Sequence, residues 1–361
     1  MNLLFFIETG LGNGRSMADE AIAIKKKNCI SVCTVSSNKD QEPGVTDSLI
    51  DAGLENLCLE GLEEHRNFSE HKRRIRDFIQ SHEIDIVHVQ SNWTLLLVWS
   101  AIMGSRKNIK IFYTIHAFRN NKSLVKKMLA KTLIYLELFL FADHVFTCSS
   151  YMKENFKFLK YKMSLLPLGV DERYISHPLV SCQDGLKIIF PGMFREGKGQ
   201  DLLINAFALY KDTTGDTDSK VYLPGDGELL QDDIALAKSL GLHDQIIFPG
   251  RMSKEELLTL YDKSNILACT SKSETFSQIL AEGYCLGKCI ISRPVGIAKD
   301  IVNEGVNGYL VADEKEFNEV LIKLSLDSTL IPEIGKNNYK DRMRFSWSNI
   351  VDEYINICQT V

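Results

Sequence analysis

Two successive series of short apolar runs, separated by helical patterns, constrain this chain more than any other feature. The first series is LLFFIE (3–8), CISVCTV (29–35), IDIVHVQ (84–90), KIFYTI (110–115) and HVFTCS (144–149). The second is KIIFPG (187–192), KVYLPG (220–225), QIIFPG (245–250), NILACTS (265–271) and KCIISRP (288–294). Continuous apolar runs mark strands buried on both faces, and stretches such as FSEHKRRIRDFIQSH (68–82) mark the helices between them. Strands alternating with helices predict βαβ units and parallel sheets, an α/β fold. Between the series lies LPLGVDERYISHPLVSCQDG (166–185), polar and turn-rich, where the domain boundary is expected.

Single cores stop growing at roughly 250–300 residues, so a chain of 361 is expected to form two domains. The expected division is 1–170, a linker 171–185, a second domain 186–340 and a terminal segment 341–361. In that segment Ile350, Val351, Tyr354, Ile355 and Cys358 recur at helical spacing after an N-cap at Ser346 or Ser348.

A net charge of −5 does not suit a chain that binds nucleic acid as a whole. The charge is uneven, however. Of 42 basic and 47 acidic residues, 22 and 18 fall in 1–170, a net of +4, which leaves 20 and 29, a net of −9. Nine scattered cysteines without a CxxC spacing, two of them (Cys29 and Cys33) placed on one strand face, suit a reduced cytoplasmic protein. The start, MNLLFFIETG, has no basic n-region and reaches Glu8 too soon for a secretory signal. The longest apolar stretch, TLIYLELFLFA (132–142), contains Glu137 and is too short to span a bilayer.

Parallel sheets bind ligands at the carboxyl ends of their strands, where this chain concentrates glycine, histidine and charge. After the first strand, ETGLGNGRSMADEAIAI (8–24) carries Gly10, Gly12 and Gly14 ahead of a helix, a loop suited to an anion or simply a tight turn. Arg15 stands where a dinucleotide fingerprint needs glycine, and no acidic residue closes the second strand, so a nicotinamide site is disfavoured. His116 follows KIFYTI and suits either a substrate contact or a structural role. PGMFREGKGQDLLINAF (191–207) places Arg195 and Lys198 before a helix expected near Asp201, which fits a diphosphate or a solvated loop. Asp226 and Glu228 in LPGDGELL lack further ligands at metal spacing.

The stretch SETFSQILAEG (273–283) raises a question about its two glutamates. Glu274 is expected at a strand's carboxyl end, with a helix beginning at Phe276–Gln278 and Glu282 about two turns along it. A carboxylate in the apolar surroundings of Glu282 needs partners, which a ribose diol or a buried cation can supply.

These residues resemble GT-B fold glycosyltransferases, most closely the retaining enzymes of family 4. The resemblance rests on SETFSQILAEGYCLGKCIIS, similar to the family's double-glutamate motif, and on DHVFTCSSYMKENF, LLPLGVD, PGMFREGKG, LPGDGELL, IIFPGRMSKEELLTLYDKSNI and GVNGYLV, in order and over nearly the full length. It implies two Rossmann-like domains facing a cleft, a nucleotide-sugar donor held mainly by the second and an acceptor by the first. By position, Glu282 would hold the ribose, Glu274 the donor sugar, and Arg195 and Lys198 the diphosphate. Phe276, Ser277 and Gln278 would offer backbone to phosphate and sugar, Arg251 and Met252 would lie beside the base, and His116 beside the transferred sugar. Gly12 and Gly14 would approach the phosphates, and the terminal helix would cross back to the first domain. Met193 stands where the family's phosphate arginine usually does, and Ser277 and Gly283 replace a common Gly and Ala.

The implied reaction is retaining transfer of a hexosyl or N-acetylhexosaminyl unit from a UDP- or GDP-sugar to an acceptor hydroxyl, in cell-surface polysaccharide or glycolipid assembly. Arg195, Lys198 and helix N–H groups would meet the leaving diphosphate's charge without a metal, and no other cofactor is expected. A nucleotide-sugar epimerase of the same fold would need carboxylates near His116, where HAFRNNKSLVKK (116–127) is basic. An inactive nucleotide-binding partner subunit is supported only by Met193. Arg119, Lys122, Lys126, Lys127 and Lys131, with Lys72, Arg73, Arg74 and Arg76, would give the first domain a cationic face. That face implies peripheral contact with the inner side of a membrane and a glycan or lipid-linked acceptor, or else it is simply solvated.

Overall fold

The structure, a computed structural model, describes residues 1–8, 14–27, 29–37, 44–62, 64–105, 107–116, 124–180 and 185–361, with Gly14 and 124–130 as backbone only. The chain divides into two compact units, Met1–Gly169 with Trp347–Val361, and Val170–Ser346. The expected linker 171–185 thus begins inside the second unit, where Asp171 caps a short helix, Glu172–Ile175.

In the first unit the strands are β1 (Asn2–Ile7), β2 (Ser31–Ser37), β3 (Glu55–Leu59), β4 (Ile86–Val89), β5 (Lys110–Ile115), β6 (His144–Thr147) and β7 (Met163–Leu165). They form one sheet in the order β3-β2-β1-β4-β5-β6-β7, and every pairing is parallel. β1 is buried along nearly its whole length because helices cover both faces of the sheet. Its alternate residues enter two cores: Leu4 and Phe6 join one cluster, Leu3, Phe5 and Ile7 the other.

The helix Trp347–Thr360 belongs to this first unit and buries Ile350, Val351, Tyr354, Ile355 and Cys358 in the second of those clusters. Its start lies one residue after Ser346. Tyr354 Oη is 3.0 Å from His88 Nδ1, and Lys27 Nζ pairs with Asp352 at 2.6 Å. Gly169 makes room for the Trp347 ring, since a Cβ there would come within 2.2 Å of it. Glu137, the charge inside the apolar stretch, lies in the helix Leu124–Phe141 and accepts a hydrogen bond from Asn92 Nδ2. Cys29 lies ahead of β2 and is exposed, so it does not share a strand face with Cys33.

The second unit's strands are β8 (Lys187–Ile189), β9 (Lys220–Pro224), β10 (Ile246–Gly250), β11 (Ile266–Cys269), β12 (Cys289–Ser292) and β13 (Gly308–Leu310). The order is β10-β9-β8-β11-β12-β13, again parallel throughout. Strand order reverses between β8 and β11, and in the first unit between β1 and β4. Such reversals open a crevice at the carboxyl ends of the two strands, because the following helices go to opposite faces.

Candidate functional site

At the reversal in the second unit, the loops after β8 and β11 are fastened to each other. Thr270 Oγ1 donates to Gly199 O at 2.6 Å, and Lys272 N donates to Gly197 O at 2.8 Å. Gly199 has φ +83°, and a Cβ there would stand 2.3 Å from Thr270 O, so both the turn and the approach require glycine. The helix after the β8 loop starts at Gln200, one residue before the expected Asp201. Across this junction Lys198 Nζ meets Glu274 Oε1 at 2.7 Å, with about a fifth of each side chain exposed. Arg195 is exposed and pairs with no carboxylate among the described residues.

A third loop, after β9, braces the β8 loop that carries Arg195. Gly192 N donates to Pro224 O (3.0 Å) and Phe194 N to Asp226 O (2.9 Å). Asp226 turns its own carboxylate onto Gly227 N at 2.8 Å, a local turn contact. Asp226 and Glu228 are exposed, and neither belongs to a cluster of ligand-spaced side chains.

The turn from Glu274 to Ser277 rests on the loop after β12. Gly296 N donates to Glu274 O (3.2 Å) and Ile297 N to Phe276 O (2.9 Å). Phe276 is buried and stacks edge-on against Phe345. The helix proper is Gln278–Cys285, so Phe276 and Ser277 precede it, and Ser277 occupies the N-cap with φ 73° and ψ 84°. Glu282 therefore sits one turn into the helix and not two. Its first turn directs backbone N–H groups back toward the Glu274 turn.

Glu282 Oε2 accepts from Tyr261 Oη at 3.5 Å, and no Lys or Arg forms an ion pair with it among the described residues. Burial pushes its carboxyl up to about 8, opposed by Lys254 and reinforced by Asp171. Tyr174 packs edge-on against Tyr261, centroids 6.2 Å apart. Lys254 is held instead by Asp171 at 3.2 Å, and Asp171 also binds Arg173 at 2.8 Å. Arg251, exposed, and Met252, half-buried, lie in the turn between β10 and the helix Lys254–Asp262, which carries both Lys254 and Tyr261. No sequence signal marks Tyr174, Lys254, Tyr261 or Asp171 as site residues. Tyr261 and Lys254 fall within the recognised stretch IIFPGRMSKEELLTLYDKSNI, but only the fold aims them at Glu282.

In the first unit His116 follows β5 and is buried, its Nε2 bonded to Gln90 Oε1 at the end of β4. Burial pushes its imidazole down to about 4, so it is neutral at pH 7. The Gln90 amide nitrogen is buried without a hydrogen-bond partner among the described residues. Glu8, at the end of β1, is also buried and accepts from Thr94 Oγ1 at 2.7 Å. Nothing in the sequence marks Gln90 or Glu8 as a site residue beyond their places at the ends of expected strands. Gly14 opens the helix Gly14–Lys26, while Gly10 and Gly12 lie outside the described residues, as do Arg119 and Lys122.

Comparisons with known proteins agree over the length of the chain. Residues 31–174 match the family model described as Glycosyltransferase Family 4, and residues 175–341 match that described as Glycosyl transferases group 1. The chain is 25% identical over 281 residues to an uncharacterised glycosyltransferase, MJ1178, of Methanocaldococcus jannaschii, covering 76% of this chain and 75% of that one. With the D-inositol 3-phosphate glycosyltransferase of Acidothermus cellulolyticus it shares 27% identity over 183 residues, 48% of this chain and 41% of the relative. Among solved structures, Anabaena Alr3699/HepE in complex with UDP and glucose superposes with a TM-score of 0.76 at 16% identity, covering 100% of both chains. The lipopolysaccharide outer core galactosyltransferase WaaB, in its apo form, gives 0.72 at 18% identity over 100% of this chain and 99% of that one. At such identities these two likenesses speak to the fold.

Proposed function

Because the chain belongs to the GT-B glycosyltransferases, we propose that it moves a hexosyl or N-acetylhexosaminyl unit, with retention, from a UDP- or GDP-sugar to an acceptor hydroxyl. The observation that carries this reading is the cation–carboxylate pair Lys198–Glu274 at the strand-order reversal, with exposed Arg195 one turn earlier in the same loop. The leaving diphosphate gathers negative charge as the glycosidic bond breaks. Arg195, Lys198 and the N–H groups before the Gln278–Cys285 helix can stabilise that charge without a metal. Glu274 would then be available to the sugar's hydroxyls, and Glu282 to the ribose diol. In the first unit, Gln90 bonds neutral His116, whose proposed role is to contact the transferred sugar. Retention is proposed through same-face substitution, in which the leaving phosphate helps take the acceptor's proton.

The test is mass spectrometry of a donor panel incubated with membrane-extracted acceptors, with and without EDTA. A glycosylated product formed equally in EDTA is the expected outcome. Activity lost in EDTA and restored by magnesium or manganese overturns metal independence, and hydrolysis of no donor at all favours an inactive subunit.

The acceptor is proposed to be lipid-linked, reached by peripheral docking at the inner face of a membrane. No helix among the described residues is long and apolar enough to cross one. What supports docking is the helix Leu124–Phe141, which is apolar on two sides. Leu138 enters the core with Ile134, Tyr135 and Phe141 against it, while Leu133, Leu136, Phe139 and Leu140 are each more than half exposed. Lys162 Nζ donates to the carbonyls of Leu138, Phe139 and Ala142 and lies within 6 Å of the Phe139 and Tyr161 rings. It thereby ties the turn Lys157–Lys162, with Phe158 86% and Tyr161 71% exposed, to the end of that helix. Exposed Lys157 and Lys160 flank the apolar side chains. An apolar patch with a lysine rim fits an anionic bilayer surface, where each lysine gains about 1 kcal/mol. Of the basic face expected on the helix Phe68–Ser81, Arg76 serves the fold instead, donating to Ala101 O at 2.9 Å.

A further inference from the structure

At the amino-terminal edge of the first unit's sheet, away from the strand ends that carry His116 and Gln90, three side chains of different chemistry converge. Cys33 on β2 and Glu55 on β3 are paired neighbours in the parallel register. His82 follows the helix Phe68–Ser81 and reaches the same point from outside the sheet. The Cys33 thiol sulfur, a Glu55 oxygen and a His82 ring nitrogen all lie within 4.8 Å of one another, and His82 Nε2 is 2.9 Å from Glu55 Oε1. Cys33 is buried and not disulfide-bonded, His82 is about a quarter exposed, and Glu55 opens to solvent.

His82 is oriented as a ligand would be. Its Nδ1 lies 2.9 Å from both Phe78 O and Ser81 Oγ, and its ring stacks on Phe78 with centroids 3.9 Å apart. Without a metal, Nε2 donates its proton to Glu55; once a metal displaces that proton, an Nδ1–H held on the carbonyl leaves the Nε2 lone pair directed at the metal between Glu55 and Cys33. A carbonyl that fixes the far nitrogen is the usual support of a metal-bound imidazole.

We propose that Cys33, Glu55 and His82 bind a zinc-class divalent ion, with water in the fourth position. One thiolate, one imidazole and one carboxylate form a mixed donor set that favours zinc over magnesium or calcium, which prefer all-oxygen shells. Binding replaces the Cys33 S–H bond by a sulfur–metal bond and the His82 Nε2–H bond by a nitrogen–metal bond, releasing both protons to solvent with no change of oxidation state. The ion would clasp the end of the helix Phe68–Ser81 to the β2–β3 edge of the sheet. This site is independent of the glycosyl-transfer reading and takes no part in that chemistry. Zinc restoring thermal stability, rather than magnesium restoring turnover, is its signature.

Cobalt serves as the spectroscopic probe. The full-length protein, stripped with EDTA and freed of it, is titrated with Co²⁺. The expected result is thiolate-to-cobalt charge transfer in the near ultraviolet with visible d–d bands, saturating at one equivalent and bleached by Zn²⁺. Cys33→Ser and His82→Gln should each abolish the charge-transfer band or weaken binding at least tenfold, while Cys29→Ser and Cys58→Ser leave it intact. Circular dichroism checks that each variant is folded, and Glu55→Gln, at an exposed position, provides a variant that leaves the core intact. Its expected effect is weaker cobalt binding with the charge-transfer band retained. Absence of a thiolate band in the folded wild type, or a band that survives Cys33→Ser, overturns the proposal. In that case His82 and Glu55 form a surface ion pair only.

Discussion

Lys198 Nζ stands 2.7 Å from Glu274 Oε1, and each side chain is the other's charge partner across two loops that backbone hydrogen bonds already join. Two groups proposed to act on adjoining parts of the donor, its diphosphate and its sugar, are thus coupled before the donor arrives. Glu274→Gln should lower kcat on the order of 10²–10³ and leave nucleoside diphosphate affinity nearly unchanged. Lys198→Met should weaken nucleotide binding and also leave Glu274 without its cation. The double variant Lys198→Met/Glu274→Gln should therefore lose less stability than the two single losses predict, by about 1–3 kcal/mol. Denaturant melts of all four proteins measure the coupling, and strict additivity would show that the pair is incidental.

Ser277 is the one described residue outside glycine in this site with a left-handed backbone, φ 73°. Its side chain is buried, with Oγ 3.6 Å from Cys269 Sγ. Such a conformation costs a non-glycine residue on the order of 1–3 kcal/mol. Ser277→Gly should leave stability within about 1 kcal/mol of wild type, relief of strain being offset by greater freedom of the unfolded chain. Ser277→Val should destabilise by roughly 2 kcal/mol or more, because a branched Cβ is least tolerant of positive φ. Equal melting temperatures for the two variants would contradict this.

The central strands and one edge strand, β10, are legible in the sequence, and the other three edges are not. The strands that close the sheets at β3, β7 and β13 were not anticipated, and all three are edge strands. An edge strand is covered on one side only, so its run is short and mixed: Glu55–Leu59 buries Leu59 fully and exposes Glu55 and Cys58. Lys198 and Glu274 were legible as site candidates because each follows a strong strand signal. Their pairing was not, since 76 residues separate them. Likewise Glu282 signalled a need for partners, while Tyr261 and Lys254 became its neighbours only through the packing of the helix Lys254–Asp262. The left-handed Ser277 was hinted at only by a departure from the glycine expected there.

Three histidines make the first unit sensitive to acid. Burial pushes His116 and His144 down to about 4 and His88 to about 3, from an ordinary 6.5. In each case the unfolded chain binds a proton that the folded chain refuses. The stability these groups support is complete above pH 6.5 and is lost as pH falls toward 4, at up to about 1.4 kcal/mol per pH unit per group. His88 is bonded to Tyr354 of the terminal helix, so that helix should loosen early. Limited proteolysis between pH 7 and 4.5 should show cleavage near the carboxyl terminus before other sites. A terminal helix that stays protected until global unfolding would count against His88 as the weak point.

Membrane docking should depend on the apolar patch more than on charge alone. Leu136 and Phe158 are exposed, so Leu136→Glu and Phe158→Glu should leave the melting temperature nearly unchanged. Both should reduce co-flotation with anionic vesicles at low salt. Lys157→Glu and Lys160→Glu should do so only with anionic lipid. Equal flotation of all variants, or none of the wild type, would favour a merely solvated face.

Glu282 links nucleotide binding to protons. Its carboxyl is raised from an ordinary 4.5 to about 8, first by burial, so it is largely protonated at pH 7 without a ligand. The folded chain then holds a proton that the unfolded chain has released. Stability from this group is complete below pH 4.5 and declines as pH rises toward 8. Glu282→Gln, which cannot ionise, should therefore gain stability relative to wild type as pH goes from 5 to 9. A ribose diol donates two hydrogen bonds and favours the carboxylate, so binding at pH 7 should expel the proton. Calorimetry of UDP or GDP binding in buffers of different ionisation enthalpy should report release of up to one proton in wild type and none in Glu282→Gln. Affinity should also rise with pH through 8 in wild type alone. Because the ribose contact is alike in ground and transition states, Glu282→Gln should raise the donor KM with little change in kcat. Proton release that persists in the variant would place the ribose elsewhere and assign the titration to another group.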